Sequence, residues 1–136
     1  MVTTLVDSNV LLDVLTEDEA WCAWSSGALA LAAERGRLAI NPVVYAEVST
    51  RFSRIEELEL ALPADSFGRE AISYEAAFLA EKAFRSYRRR GGERRSTLPD
   101  FFIGAHAAVA GYELLTRDAA RYRTYFPRLR IWSPGD

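Results

Sequence analysis

Four acidic side chains, Asp7, Glu47, Asp100 and Asp118, stand where apolar runs end or helix-like runs begin: "LVDSNVLLD", "VVYAEV", "LPDFFIGAHA" and "LLTRD". Singly, three of them have ordinary explanations. Asp7 can cap a helix, Asp100 can be the third-position partner of Thr97 in a capping box, and Asp118 can belong to an Arg-Asp turn. Glu47 is different, because Val43, Val44, Ala46 and Val48 surround it and a solvated acid gains little there. Carboxylates forced together repel one another, which raises their pKa values and destabilises the empty fold, so such a cluster is kept when a cation offsets it. Oxygen-only ligands select hard cations such as Mg²⁺ or Mn²⁺. One or two such ions can generate hydroxide, align it with a phosphodiester and stabilise the leaving oxygen, which is nuclease chemistry.

The rest of the composition removes competitors. The lone Cys22 excludes an internal disulfide, and Cys22 with His106 cannot build a Cys/His zinc site. One histidine cannot serve a two-histidine ribonuclease, and neither a Gly-rich phosphate loop nor a nucleophile elbow is present. A receiver-like signalling domain also gathers acids at a sheet edge, but it needs a lysine after a late strand, and Lys82 is the sole lysine. Net charge is −2, which argues against a uniformly basic nucleic-acid coat. Arg85, Arg88, Arg89, Arg90, Arg94 and Arg95 nevertheless crowd one segment, which reads either as a solvated helix end or as a phosphate-binding patch.

The elements that must position the acids alternate. "VTTLV" (2–6) suits a buried strand, followed by a short helix over 10–15 that Asp7, Ser8 or Asn9 can cap. Thr16 and Glu19 form a capping-box pattern for a helix with Trp21, Trp24, Ala28 and Leu31 on one stripe, ended by Gly36. A strand at 37–40 leads through Asn41 and Pro42 into a helix covering "VVYAEVSTRF". A loop around Pro63 to Gly68 precedes a long helix at 73–90. Thr97 caps a helix that Gly111 terminates; a strand (112–116), a short helix (119–125) and a last strand (128–132) follow. Strands separated by helices pair in parallel through right-handed crossovers, giving a three-layer α/β/α sandwich around a four- to five-stranded, mainly parallel sheet. Ligands of such sheets bind beyond the carboxyl ends of the strands, where all four acids fall. The length suits one compact domain over residues 1–136, and no segment has the apolar length of a membrane span or the pattern of a cleaved signal, so a cytoplasmic protein is expected.

The four acidic motifs, in this order and at this spacing, resemble those of PIN-domain nucleases, over essentially the whole chain. A domain of this size most resembles the VapC toxins of prokaryotic toxin-antitoxin pairs. The resemblance implies a Mg²⁺- or Mn²⁺-dependent endoribonuclease acting on RNA, usually dimeric, inhibited by a small VapB-like antitoxin seated in the active-site groove. Carried over, Asp7 and Asp100 correspond to direct metal ligands, and Glu47 and Asp118 to ligands acting partly through water. Ser8, Asn9 and Thr116 match small polar positions that orient carboxylates and waters. The motifs do not fix the RNA contacts; Arg88, Arg89, Arg90, Arg94 and Arg95 are the candidates. His106 is expected in the core or at its rim. Trp21 and Trp24 are expected in the core, where partial exposure would instead favour partner binding. Asp13 is expected to face solvent. A PIN-like module without a toxin role, either an RNA-processing nuclease or a silent scaffold, is the alternative reading.

Overall fold

A computed structural model describes residues 2–91 and 97–135. The elements run β1 (Val2–Val6), α1 (Ser8–Leu15), α2 (Cys22–Arg35), β2 (Gly36–Ile40), α3 (Pro42–Val48), a 3-10 turn (Ser49–Arg51), α4 (Ile55–Ala61), β3 (Gly68–Arg69), α5 (Tyr74–Arg89), α6 (Leu98–Ala110), β4 (Glu113–Leu115), α7 (Ala120–Arg123) and β5 (Ile131–Trp132). The five strands form one parallel sheet in the order β3-β2-β1-β4-β5. Successive residues of a strand point to opposite faces. Thr4, Leu5 and Val6 of β1, and Leu38, Ala39 and Ile40 of β2, are all buried, so helices must cover both faces of the sheet. This is the expected α/β architecture.

Because every strand is parallel, all carboxyl ends share one edge. Val6 delivers Asp7 there, and the Asp7 backbone N–H extends the ladder by donating to the Leu115 carbonyl at 2.9 Å. Ile40 delivers Asn41, whose Oδ1 accepts from the Val44 N–H at 2.9 Å and starts α3, the helix that carries Glu47. Leu115 delivers Thr116 and the turn to Asp118.

Several local expectations need correction. Of Asp7, Ser8 and Asn9, Asp7 is the residue that caps α1, so the helix begins at Ser8 and not at residue 10. The Thr16 capping box does not form: the Thr16 hydroxyl turns back to the Leu12 carbonyl at 2.7 Å and closes α1. Glu17 then adopts the left-handed region (φ 51°), and the Asp18 carboxylate takes the Trp21 N–H at 2.8 Å. Helix α2 buries Ser25, Ala28 and Ala32, one residue off the expected stripe, so Leu31 is 54% exposed and Trp21 and Trp24 are half-buried. Residues 55–61, to which the sequence reading assigns no element, form a helix, and residues 68–69, at the end of the expected loop, form an edge strand. Gly36 does end α2, but in extended backbone (φ 167°); a Cβ there would lie 1.8 Å from the Val2 carbonyl oxygen, so close approach of β1 is what requires glycine.

Asp13 does not face solvent. It is 3% exposed, accepts from Ser25 Oγ at 2.8 Å and pairs with Arg117 Nε at 2.8 Å. An acid one turn beyond the strand end is thereby used to hold the loop after β4.

Gly104 brings α7 onto α6. An added Cβ would stand 2.5 Å from the Phe126 ring and 3.0 Å from that of Tyr122, both buried. Phe101 of α6 meets Phe84, Tyr87, Tyr125 and Phe126 at ring centroid distances of 5.3–6.1 Å. Among the described residues no helix is long and apolar enough to cross a membrane.

Candidate functional site

The site is assembled on the sheet's carboxyl edge from the end of β1, helices α3, α6 and α7, and the loop after β4. Asp7 is 2% exposed, yet it has three donors. Its Oδ1 accepts from the Ser8 N–H at 2.8 Å, and its Oδ2 accepts from Thr116 Oγ1 at 2.9 Å and from the Tyr122 hydroxyl at 2.8 Å. Burial pushes the Asp7 carboxyl pKa up and Asp100 adds to the rise; the three hydrogen bonds oppose it.

Thr116 is the hub of the loop. Its hydroxyl donates to Asp7 and accepts from Asn9 Nδ2 at 3.3 Å and from the Asp118 N–H at 3.1 Å, using the one donor and two acceptors a hydroxyl has. Asn9 Oδ1 accepts from the Arg117 N–H at 3.4 Å, tying α1 to the same loop. Ser8 Oγ donates to Glu47 Oε1 at 2.8 Å. Burial raises the half-buried Glu47 carboxyl, Asp7 and Asp100 raise it further, and Ser8 and Arg121 oppose the shift.

Asp100 opens α6 and is 4% exposed. The Thr97 capping box forms as expected: Asp100 Oδ2 accepts from the Thr97 N–H at 2.9 Å and from its hydroxyl at 3.3 Å. Capping occupies Oδ2, and Oδ1 accepts from Arg121 Nη1 at 3.4 Å. Asp118 is half-buried, in the turn before α7.

Arg121 stands between the last two acids. Its Nη1 is 3.4 Å from Asp100 Oδ1, and its Nε is 2.8 Å from Asp118 Oδ2, an ion pair in which the N–H is poorly aimed for a hydrogen bond. Burial disfavours the cation, but Asp100, Asp118 and Asp7 outweigh burial and raise the Arg121 pKa. Asp7, Glu47 and Asp100 thus lie in one another's fields, with Asp118 joined through Arg121. Among the described residues no three His, Cys, Asp or Glu side chains are gathered tightly enough to hold an ion as they stand. The donor set itself, four carboxylates of which Asp7 and Glu47 have raised pKa values and a guanidinium drawn among them, fits a hard divalent cation, because it is short of positive charge and offers only oxygen.

Tyr122 and Arg121 were not singled out by the sequence reading. An Asp118–Arg121 spacing of three on a helix-like run was the available signal for one; the Tyr122 contact bridges 115 positions and had none. Burial and the nearby Asp7 and Asp100 charges hold the Tyr122 hydroxyl pKa well above its ordinary value, so it is a fixed donor.

His106 lies in the core as expected. Asn41 Oδ1 is committed to Val44, so Nδ2 faces His106 and donates to Nδ1 at 2.9 Å. The imidazole is therefore neutral with its proton on Nε2, consistent with a pKa lowered by burial. Of the arginine candidates, Arg88, Arg89 and Arg90 are exposed at the end of α5; Arg88 stacks on Phe84 and Arg90 on Tyr125, at 5.8 and 5.7 Å. Arg94 and Arg95 lie outside the described residues.

Comparison with known proteins follows the same outline. Residues 4–127 match the PIN domain family. No curated protein sequence matches the chain. Among solved structures, VapBC2 from Rickettsia felis bound to a DNA fragment from its promoter is similar, with TM-score 0.72, 16% identity, and 96% of this chain and 98% of that chain covered. VapBC-1 from nontypeable Haemophilus influenzae gives TM-score 0.74 at 14% identity, covering 96% and 97%. A toxin-antitoxin complex from Klebsiella pneumoniae gives 0.68 at 22% identity, covering 98% of both.

Proposed function

The chain belongs to the PIN-domain family, and from that membership together with its buried acids we propose that it is a Mg²⁺- or Mn²⁺-dependent endoribonuclease, the toxin of a VapBC-type pair. The observation that carries the reading is Asp7: 2% exposed, held by three donors, and still raised in pKa with Asp100 contributing. Such an arrangement costs stability in the empty fold, and a divalent cation is the partner that offsets it.

A bound divalent ion would supply Lewis-acid activation of water and positive charge for the leaving oxygen. Asp7 and Asp100 would hold it directly, and Glu47 and Asp118 through water. The chain's own groups do the positioning. Thr116 and Tyr122 fix Oδ2 of Asp7, so the carboxylate cannot rotate. Ser8 holds Oε1 of Glu47, leaving Oε2 to accept the proton of an attacking water, a task suited to a carboxyl of raised pKa. Asn9 keeps Thr116 and Arg117 in register with α1. The exposed Arg88, Arg89 and Arg90, with Arg94 and Arg95, offer planar forks for RNA phosphates.

The same reading makes a VapB-like antitoxin the protein partner and a homodimer the working assembly, with residues 1–136 as one domain active on RNA in the cytoplasm. The similar solved structures carry toxin-antitoxin titles, and the half-buried Trp21 and Trp24 together with exposed Leu31, Ile55 and Leu60 provide apolar surface for such contacts. Purified chain incubated with total RNA tests the activity. Cleavage in Mg²⁺, arrest in EDTA and a folded but inactive Asp100→Asn variant are expected. Cleavage by that variant without metal would overturn the mechanism.

A further inference from the structure

We propose that the Arg121 guanidinium holds the position of a second cation, so that the site takes one divalent ion rather than two. The inference rests on the metal-dependent reading above and specifies how the chain's own charge completes that site.

Three observations carry it. First, Arg121 bridges two acids from different elements, with Nη1 3.4 Å from Asp100 Oδ1 at the start of α6 and Nε 2.8 Å from Asp118 Oδ2 after β4. A positive charge between two carboxylates offsets their mutual repulsion, which is the electrostatic service a second ion would supply there. A guanidinium spreads one charge over a planar fork and does not deprotonate in proteins, so its charge is permanent. Second, the arm is anchored close to the acids. The Arg121 N–H donates to the Asp118 carbonyl at 3.3 Å, and the next residue, Tyr122, is fixed to Asp7 by its hydroxyl. Helix α7 is itself pressed onto α6 at Gly104, which has no room for a side chain. Arg121 therefore cannot leave the cluster by backbone movement without releasing Asp7 as well. Third, four carboxylates against one guanidinium leave an excess of three negative charges. One divalent ion nearly offsets that excess, and two would reverse its sign before any substrate phosphate arrived. Arg121 already engages Asp118 Oδ2 and Asp100 Oδ1, so a second ion at those oxygens would have to displace it.

Manganese binding decides the matter without reference to activity. The free Mn²⁺ signal in electron paramagnetic resonance, followed as the ion is titrated into the purified chain, counts ions bound per chain. One ion is expected for the parent, and one for Arg121→Lys, which keeps the charge. Two are expected for Arg121→Ala, the second lost again when Asp118→Asn is added. Circular dichroism checks each fold; should Arg121→Ala not fold, the neutral Arg121→Gln carries the same expectation. Two ions in the parent, or a single ion in a folded Arg121→Ala or Arg121→Gln protein, would overturn the inference while leaving the metal-dependent reading intact. No bound Mn²⁺ in any of the proteins would remove that reading, and the inference with it.

Discussion

The Tyr122 hydroxyl donates to Asp7 Oδ2 at 2.8 Å, joining the last α-helix to the end of the first strand. Both side chains are buried, so this bond cannot be replaced by water. Tyr122→Phe removes the donor and leaves the rest of the ring in place. A hydrogen bond to a charged group contributes about 1.5–3 kcal/mol, so urea denaturation at neutral pH without metal should show a loss of that order. The Asp7 carboxyl should rise further, and Mn²⁺ should bind more weakly. A variant with unchanged stability and unchanged Mn²⁺ affinity would show that the bond positions nothing.

Asp7 and Glu47 both have folded-state pKa values raised above their ordinary 3.8 and 4.5. The folded protein therefore holds protons that the unfolded chain has released. The stability this contributes is full below the ordinary carboxylate range and is lost as pH rises through the raised values. Melting temperature measured in EDTA should fall across that window, and the fall should be smaller in Asp7→Asn. A metal-free melting temperature that climbs through the same window in the parent would contradict the account.

Divalent ions should reverse this loss. An ion that binds only the folded state stabilises it by about 2.7 kcal/mol at a hundredfold excess over its dissociation constant. Mn²⁺ should raise the parent's melting temperature by several degrees and that of Asp7→Asn by much less. Equal rises in the two proteins would place the ion elsewhere.

Arg117→Met tests how the loop after β4 is held. It strips Asp13, 3% exposed, of its cationic partner and leaves Ser25 alone to bond it. Because the arginine side chain is itself one-third exposed, the cost should be about 1–3 kcal/mol, below that of a fully buried pair. RNA cleavage should drop along with stability, since Thr116 and Asp118 flank the arginine. Thermal melts and cleavage assays on the one preparation would show whether the two losses travel together.

Gly104→Ala forces a methyl into the Phe126 ring. Overpacking of this kind costs about 1–3 kcal/mol, and here it would also lift α7 with Tyr122 and Arg121. A reduced melting temperature together with a reduced Mn²⁺ response is expected. A normal Mn²⁺ response in the destabilised protein would mean that the close approach serves packing alone.

What could be read from the sequence was local or periodic. The strands at 2–6 and 37–40 and the long helix at 73–90 announced themselves by apolar pattern, and the positions of the acids at strand ends followed from parallel topology. Asp100 could be read two ways, as a capping partner and as a site acid; the capping contact forms, and the other oxygen meets Arg121. What could not be read depended on contacts between distant segments. Asp13 looks like a solvent-facing helix acid until Arg117, 104 positions away, closes on it. The Thr16 and Glu19 pattern is a sound capping box in isolation, but the Thr16 hydroxyl was already taken by the preceding helix. Helix α4 lacks a side-chain cap, so Glu56 and Glu57 in its first turn were the start signal it carried.

Asp7 caps α1, and asparagine caps a helix as well as aspartate does. Exchanging one for the other takes a single nucleotide, keeps the cap, and removes a buried negative charge. Under the proposed function such a change inactivates the site while the cap stays, and the relief of the buried charge is set against the Thr116 and Tyr122 hydrogen bonds, which an amide nitrogen cannot accept. Populations that gain by silencing the chain should yield that codon change repeatedly, as full-length, well-expressed protein rather than as truncations, and persistence of aspartate there measures continued selection for its chemistry.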